Sequence, residues 1–330
     1  MRTVWALAGA LSLLGVVTAA QAQPSADQLL TEVGLSAADK QNVLGGQFVN
    51  ISIDGVSDRD LAFAISFMVK TPPDALARQL AAGELITADT QVQSFGELTG
   101  AGSLTDLAKL TLTSDEAQAL TNAKAGEGLN LSPSEIAAFK ALAGRPPAAV
   151  QEQLRRMLLA RYQAYRKSGL AGIGPYDRGD GRSDALADDL RKAGQAMLAL
   201  RKYMPGFQKV LLSYPKAMVP GMQEKFFWLK SLIHDQMTYI LVHGLVVSEG
   251  AARAAARREY YVSTGYNGEQ TVAAFLPVQE GAVVLTGAHA FTDQVTGFGG
   301  SMKRSIGSKV MAGKMKDIYE AERERSQKLR

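Results

Sequence analysis

Residues 282–300, AVVLTGAHAFTDQVTGFGG, carry the alternation that decides the fold. A strand turns successive side chains to opposite faces. One face of this strand therefore takes Val283, Leu285, His289 and Phe291, and the other takes Val284, Thr286, Ala288 and Ala290. Both faces are apolar, so the strand is predicted to be covered on both sides. The glycines of 297–300 then close the sheet.

This strand is the last of several β-rich segments separated by turn residues. The others span 226–233, 237–247, 258–266 and 271–278. An earlier pair, 47–54 and 61–69, has the alternation and the turn of a β-hairpin. Residues 301–328 read as one long helix. The order predicts an α+β fold in which a curved antiparallel sheet grips a long C-terminal helix.

Residues 148–214 interrupt the strands with a helical insertion. Apolar residues from Val150 to Tyr165 recur on one face at helical spacing, and a second series runs from Leu186 to Leu200. Shorter helices are predicted within 25–45, after Thr71-Pro72, and after the capping boxes at 113–116 and 132–135. Residues 90–112 are predicted to hold two more strands around the turn 100–103.

The first 22 residues have the pattern of a secretory signal. Arg2 precedes an apolar run from Val4 to Ala19, and Ala20-Gln21-Ala22 is a small-x-small cleavage site. We expect cleavage after Ala22 and one domain over 23–330. An alanine-rich secreted chain with no cysteine favours the bacterial periplasm.

Composition excludes several classes of protein. With Cys 0, thiolate nucleophiles and cysteine-ligated metals are ruled out. A net charge of +4 is too small to indicate nucleic-acid binding. The sequence has no HExxH motif, no G-x-S-x-G motif, no dinucleotide fingerprint and no phosphate loop. We therefore assign no cofactor and no catalytic residue.

Two of the three histidines lie in predicted strands. His243 and His289 suit a general base or a metal pair, or hydrogen-bonded core histidines. Neither has a second ligand at a recognisable spacing, so the core interpretation is preferred and no metal is assigned. His234 is predicted to lie in a surface turn. The aspartates within 177–189 fail the spacing of a calcium loop, and we interpret them as a solvated loop leading into a helix.

Aromatic residues on the predicted strands are candidates for the wall of an apolar cavity. Such walls combine aromatic and aliphatic side chains with a few polar groups, whereas the alternative is ordinary sheet core. The candidate cavity residues are Phe226, Trp228, Tyr239, His243, Tyr261, His289 and Phe291.

The C-terminal helix is basic and has two apolar sides. Residues 301–330 contain nine Lys or Arg and four Asp or Glu. Met302, Ile306 and Val310 lie on one side, and Met311, Met315, Ile318 and Tyr319 on another. A helix that contacts a curved sheet along one side and something else along the other has this pattern. Three interpretations of its basic character stay open: a solvated face with ordinary lysines, a position over the cavity, or contact with an anionic membrane surface.

The element order resembles the START-like, helix-grip superfamily. The resemblance rests on 46–69 with the Thr71-Pro72 helix, and on 226–323. The stretches YRKSG (165–169), YP (214–215) and FFW (226–228) also look like a set of uncharacterised secreted bacterial proteins. The resemblance implies an apolar cavity between the sheet and the C-terminal helix. The insertion departs from the superfamily pattern.

Together these features predict a periplasmic protein that binds or carries an apolar or amphipathic small molecule such as a lipid. Two alternatives stay open. One is an enzyme that uses His243 or His289 as acid or base, which a cavity with a histidine beside a carboxylate would favour. The other is a structural protein that interacts with the envelope, which a filled core with an exposed apolar patch would favour.

Overall fold

A computed structural model describes residues 23–70, 73–74, 90–184, 186–297 and 299–328. The predicted signal segment and most of the predicted helix after Thr71-Pro72 lie outside these residues. The helices are α1 (Ala26–Glu32), α2 (Ala37–Leu44), α3 (Ser114–Thr121), α4 (Pro133–Lys140), α5 (Pro147–Ser168), α6 (Leu186–Ala196), α7 (Leu198–Tyr203), α8 (Pro205–Ser213) and α9 (Gly300–Lys328).

One curved antiparallel sheet organises these elements. Its strands are β1 (Val49–Ile51), β2 (Asp60–Val69), β3 (Val92–Leu98), β6 (Gln223–Ile233), β7 (Gln236–Glu249), β8 (Ala252–Val262), β9 (Gly268–Val278) and β10 (Gly281–Phe291). They lie in the order β1-β2-β10-β9-β8-β7-β6-β3. The short strands β4 (Tyr176–Asp177) and β5 (Ser183–Asp184) pair separately. Strand β10 pairs antiparallel with β2. This pairing joins the early hairpin to the late meander.

The two faces of the sheet meet different partners. On the layer face, helices α1 and α5 to α8 cover side chains such as Trp228, Leu241 and Val283. On the opposite face, which we call the α9 face, Phe63, Ile65 and Phe275 meet Ala312 of helix α9. The alternation predicted for 283–291 is confirmed, because Val283 and Val284 fall in the two different cores.

Helix α9 rests on the sheet chiefly at β2. Met311, Met315 and Tyr319 face the sheet, and the Tyr319 ring lies 5.1 Å from that of Phe67. The Tyr319 hydroxyl is 3.0 Å from Thr286 Oγ1. The predicted C-terminal helix and its sheet-facing side are therefore confirmed for the side chains that the structure describes.

Four sequence predictions need correction. Residues 90–112 form one strand, β3, and then a short 3-10 helix, Leu104–Leu107, instead of a second strand. Strand β8 begins at Ala252, before the predicted residue 258, because its alanines pair with β7 and β9. The helix predicted from Leu186 to Leu200 breaks at Met197. Asp184 and Asp189 are buried in ion pairs with Arg59 instead of lying in a solvated loop.

Candidate functional site

All seven candidate cavity residues lie on the layer face and are buried. The exposed fraction is 0% for Trp228, His243 and Phe291, and does not exceed 3% for Phe226, Tyr239, Tyr261 and His289. They turn away from α9, so they do not line any space between the sheet and that helix. Where the resemblance implies a cavity beneath the C-terminal helix, these residues instead fill the core beneath the helical insertion.

The candidates divide into two groups across the sheet. Phe226 stacks on the His243 ring at 4.2 Å, and Trp228 Nε1 donates to the Asp106 carbonyl at 2.8 Å. His289 and Phe291 lie on β10, several strands away. Tyr261 shares the layer face with its neighbour Tyr260 because a bulge in β8 places both opposite Leu241. The structure therefore does not gather the seven residues into one pocket.

A row of buried polar residues connects the two groups. His243 pairs with Arg258, Arg258 with Gln270, and Gln270 with His289 in the register of β7, β8, β9 and β10. Their exposed fractions lie between 0% and 2%. Since directly opposite residues share a face, the row crosses four strands beneath the helices. The sequence did not point to Arg258 and Gln270. The local signal for Arg258 is its position two residues after Ala256, on the face that the buried alanines of β8 share.

At the β7 end of the row, a chain of hydrogen bonds leads from Arg258 through Tyr165 to His243. Arg258 Nη1 donates to Tyr165 Oη at 3.0 Å, and Tyr165 Oη lies 3.0 Å from His243 Nδ1. Because the tyrosine oxygen already accepts from Arg258, its own proton goes to His243 Nδ1. The proton of the neutral imidazole then resides on Nε2, at a long 3.4 Å from Glu224 Oε2.

Burial keeps this histidine neutral. It lowers the pKa of His243 to about 4, although Glu224 opposes the effect. The contact with His243 lowers the pKa of Glu224, so the carboxylate is ionised at neutral pH. Helix α5 and Tyr214 seal the imidazole. In this structure His243 is a fully buried core histidine.

Arg258 clamps the helices onto the sheet. Its Nη2 donates to the Leu211 carbonyl at 2.7 Å, and both Nε and Nη2 donate to Gln270 Oε1. With Tyr165 these contacts join α5, α8 and β9 to β8. Among the described residues Arg258 forms no ion pair, so its buried charge depends on these neutral acceptors.

At the β10 end of the row, a carboxylate orients the other histidine. His289 Nδ1 lies 2.7 Å from Asp60 Oδ2, which also accepts the Val56 N–H at 2.7 Å. In the neutral imidazole, this bond places the hydrogen on Nδ1 and leaves the Nε2 lone pair as the acceptor. Within the described chain Nε2 has no hydrogen-bond partner. His289 is thus the histidine with unused acceptor capacity.

The third histidine, His234, is predicted to lie in a surface turn. His234 is exposed in a turn with φ of 47°, so that prediction is confirmed. In the described ranges, three or more His, Asp or Glu side chains nowhere cluster in a way that would hold a metal ion. An open cleft of about 400 Å³ lies beside the β4–β5 hairpin, and its walls include none of the seven candidates.

The outer side of α9 carries the largest exposed apolar stripe on a described helix. Met302, Ile306 and Val310 are 70%, 58% and 54% exposed. At 100° per residue they lie on one line along the helix. Lys303 and Lys314 flank this line on one side and Lys309 on the other, and all three are exposed. Arg304 differs, because it turns inward and donates to the Asp58 carbonyl.

Comparisons with family models, with curated proteins and with solved structures gave no match for this chain. Across the described helices, none combines the length and the apolar content that crossing a membrane requires.

Proposed function

We propose that this is an envelope protein that docks on an anionic membrane surface through the outer side of α9. The observation that carries the proposal is the outer stripe, Met302, Ile306 and Val310, with its exposed lysines. Interfacial helices place apolar side chains at the level of the acyl chains while flanking lysines reach the headgroups. Charge complementarity therefore selects an anionic lipid surface as the partner.

The stripe is free to act because folding does not use it. Helix α9 is already anchored to β2 by its other side, where Ala312 is 3% exposed. The exposed side chains gain nothing from the fold and would gain from leaving water. Asp317, exposed on the same side, ends the stripe and limits the contact to the first turns of α9.

The expected binding is weak and reversible. Burying one such side chain contributes at most about 1.5–3 kcal/mol, and each lysine near an anionic surface about 1 kcal/mol. Ordering and desolvation reduce that gain considerably. The dissociation constant should thus lie in a micromolar to millimolar range, roughly −4 to −8 kcal/mol.

The packing of the core also bears on the other functions that the sequence left open. A filled core with an exposed apolar patch favours the interaction protein, and the seven packed candidates supply the filled core. Carriage of a lipid beneath α9, membership of the START-like superfamily and a periplasmic location stay predictions. The curved sheet with α9 on one face supports the resemblance without testing it.

The experiment is sedimentation with vesicles. Full-length mature protein should bind vesicles of phosphatidylglycerol and phosphatidylcholine at low salt, and binding should fall as salt rises. Ile306→Asp should reduce binding at least tenfold. Leu198→Asp is the matched control, because Leu198 is 60% exposed on α7. The control should bind like the parent protein.

Three outcomes would overturn the proposal. They are equal binding to vesicles of phosphatidylcholine alone, binding unchanged by Ile306→Asp, and a dimer that Ile306→Asp dissociates, since a second copy would then be the occupant of the stripe. Sedimentation velocity without lipid detects the last case. Circular dichroism verifies that both variants are folded.

A further inference from the structure

Gly287 lies in the middle of β10 without a structural reason to be glycine. The register is continuous on both sides of it, from Ala282 to Phe291, so it marks no bulge. A Cβ built at this position would meet no heavy atom within 4 Å. A glycine inside a strand weakens it and often marks a bulge, a tight bend, or close approach of another backbone or a ligand. The open space over Gly287 leaves room for a ligand.

Small side chains continue the floor around Gly287. On the layer face its register partner on β2 is Ala64, and the next residue along that face is Ala62. Gly287, Ala64 and Leu285 are only half-buried, although most of this face is covered by helices. Small side chains and the open space over Gly287 thus leave a gap on this face over β2 and β10, which we call the depression.

Polar groups with unused hydrogen-bonding capacity lie at one end of this depression. His289 is the next layer-face residue after Gly287, and its Nε2 has no partner among the described residues. Gln270 lies opposite His289, with Cβ atoms about 5 Å apart. Arg258 occupies Gln270 Oε1, so the buried Nε2 donor is left unpaired. An unpaired acceptor, His289 Nε2, and an unpaired donor, Gln270 Nε2, therefore lie on neighbouring residues.

We propose that this depression binds a small amphipathic molecule with a neutral head that both donates and accepts, such as an alcohol or a primary amide. The head lies against His289 Nε2 and Gln270 Nε2, and the apolar body covers Gly287 and Ala64. The head is neutral because the charges behind the two groups are opposite: Arg258 behind Gln270 and Asp60 behind His289.

Entry of the head group requires a small movement of α6. His289 is 2% and Gln270 0% exposed, so both are nearly sealed. Gly194 of α6 lies over Gln270; a Cβ there would be 3.7 Å from Gln270 Nε2. Because residue 194 is a glycine, no side chain of α6 at this point has to move out of the way of the head group. The site is separate from the outer stripe of α9 and does not depend on membrane docking.

Hexanamide is a suitable probe, followed by NMR of protein labelled at histidine Cε1. The three histidines give one test signal and two internal controls: His234 is exposed and His243 is sealed. His234→Gln and His289→Gln assign the signals. Saturable movement of the His289 signal alone is the expected result, and Gly287→Val should abolish it by filling the depression.

Gly244→Val is the matched control. It is the same substitution on the same sheet, but on the α9 face, where a Cβ would make an ordinary 3.7 Å contact. It should leave the His289 response unchanged. The proposal is overturned if hexanamide moves no histidine signal, if it moves all three alike, or if the Gly287→Val protein responds as the parent does. The first result would mean that water alone occupies the depression.

Discussion

Glu259 and Glu269 lie directly opposite each other on β8 and β9, on the α9 face of the sheet. Glu259 is 2% exposed and contacts both Tyr266 and Arg257. Burial first, and the nearby Glu259 second, raise the pKa of Glu269 to about 7 from an ordinary value of 4.5.

This pair predicts a loss of stability as pH rises. The folded protein keeps a proton on Glu269 up to about pH 7, whereas the unfolded chain releases it near 4.5. Stability should thus fall between those values, by on the order of 1–3 kcal/mol. Glu269→Gln should remove this dependence and unfold at higher urea at pH 8. Urea titrations at several pH values measure the free energy of unfolding of the parent protein and of Glu269→Gln. If that free energy depends on pH in the same way in both proteins, the prediction is contradicted.

The buried His243 predicts a loss of stability as pH falls. Its pKa is lowered to about 4 in the folded protein, whereas an unfolded histidine takes up a proton near 6.5. Stability should therefore fall as pH drops from 6.5 towards 4, by on the order of 2–3 kcal/mol. His243→Gln should lack that part of the acid dependence, although it is less stable at pH 7. An unchanged acid profile would show that the pKa of His243 is the same in the folded and the unfolded protein.

Two strand glycines should respond to alanine with opposite signs. A Cβ at Gly96 of β3 would lie 2.5 Å from Trp228 Nε1, whereas a Cβ at Gly287 meets nothing within 4 Å. Gly287→Ala should stabilise by about 0.4–1 kcal/mol through the unfolded chain. Gly96→Ala should destabilise by about 1–3 kcal/mol, because the indole that bonds Asp106 must move. Thermal unfolding of both variants measures the two changes in stability. If both changes have the same sign, the prediction is wrong.

The sequence predicts the scaffold better than the site. Alternation along 282–291 and helical spacing in α5 are local signals, and both elements formed where expected. The second strand expected within 90–112 fails because the turn after Leu98 leads into a 3-10 helix that supports Trp228. Local propensity does not encode that tertiary contact.

The polar row could not be predicted, because register brings it together. Arg258 and His289 are 31 residues apart in the sequence, and only the pairing of β8, β9 and β10 aligns them. Tyr165 comes from the helical insertion and Asp60 from the early hairpin. By contrast, the two apolar sides of α9 follow from the helix period alone, so that surface was predictable.

The mature N-terminus is a further prediction from the signal pattern. Cleavage after Ala22 would leave Gln23 first, next to the turn that joins β9 and β10. In that turn Gln279 N–H donates to the Pro24 carbonyl at 3.3 Å, and the Glu280 carboxylate accepts from Ala26 at 3.2 Å. Intact-mass analysis of protein exported by a bacterial host should give the mass of 23–330. A product that retains Met1 would contradict the prediction.

A disulfide from α9 to the sheet tests whether α9 docks on the membrane as it lies or must first lift from β2. Gly297 and Gly299, both at φ of 73°, precede α9 and are the candidate hinge. A Cβ at Gly307 would lie 3.6 Å from Leu61 Cγ, so Leu61→Cys with Gly307→Cys places the two thiols within bonding reach.

The chain has Cys 0, so the introduced pair is the only one that can form. If the outer stripe docks as it stands, the oxidised double variant should bind anionic vesicles as well as its reduced form, because Met302, Ile306 and Val310 point away from the bond. Each single cysteine variant is the control. Loss of vesicle binding on oxidation, restored by reduction, would instead show that α9 lifts from β2 to bind, and the sheet beneath it would then be the surface to examine.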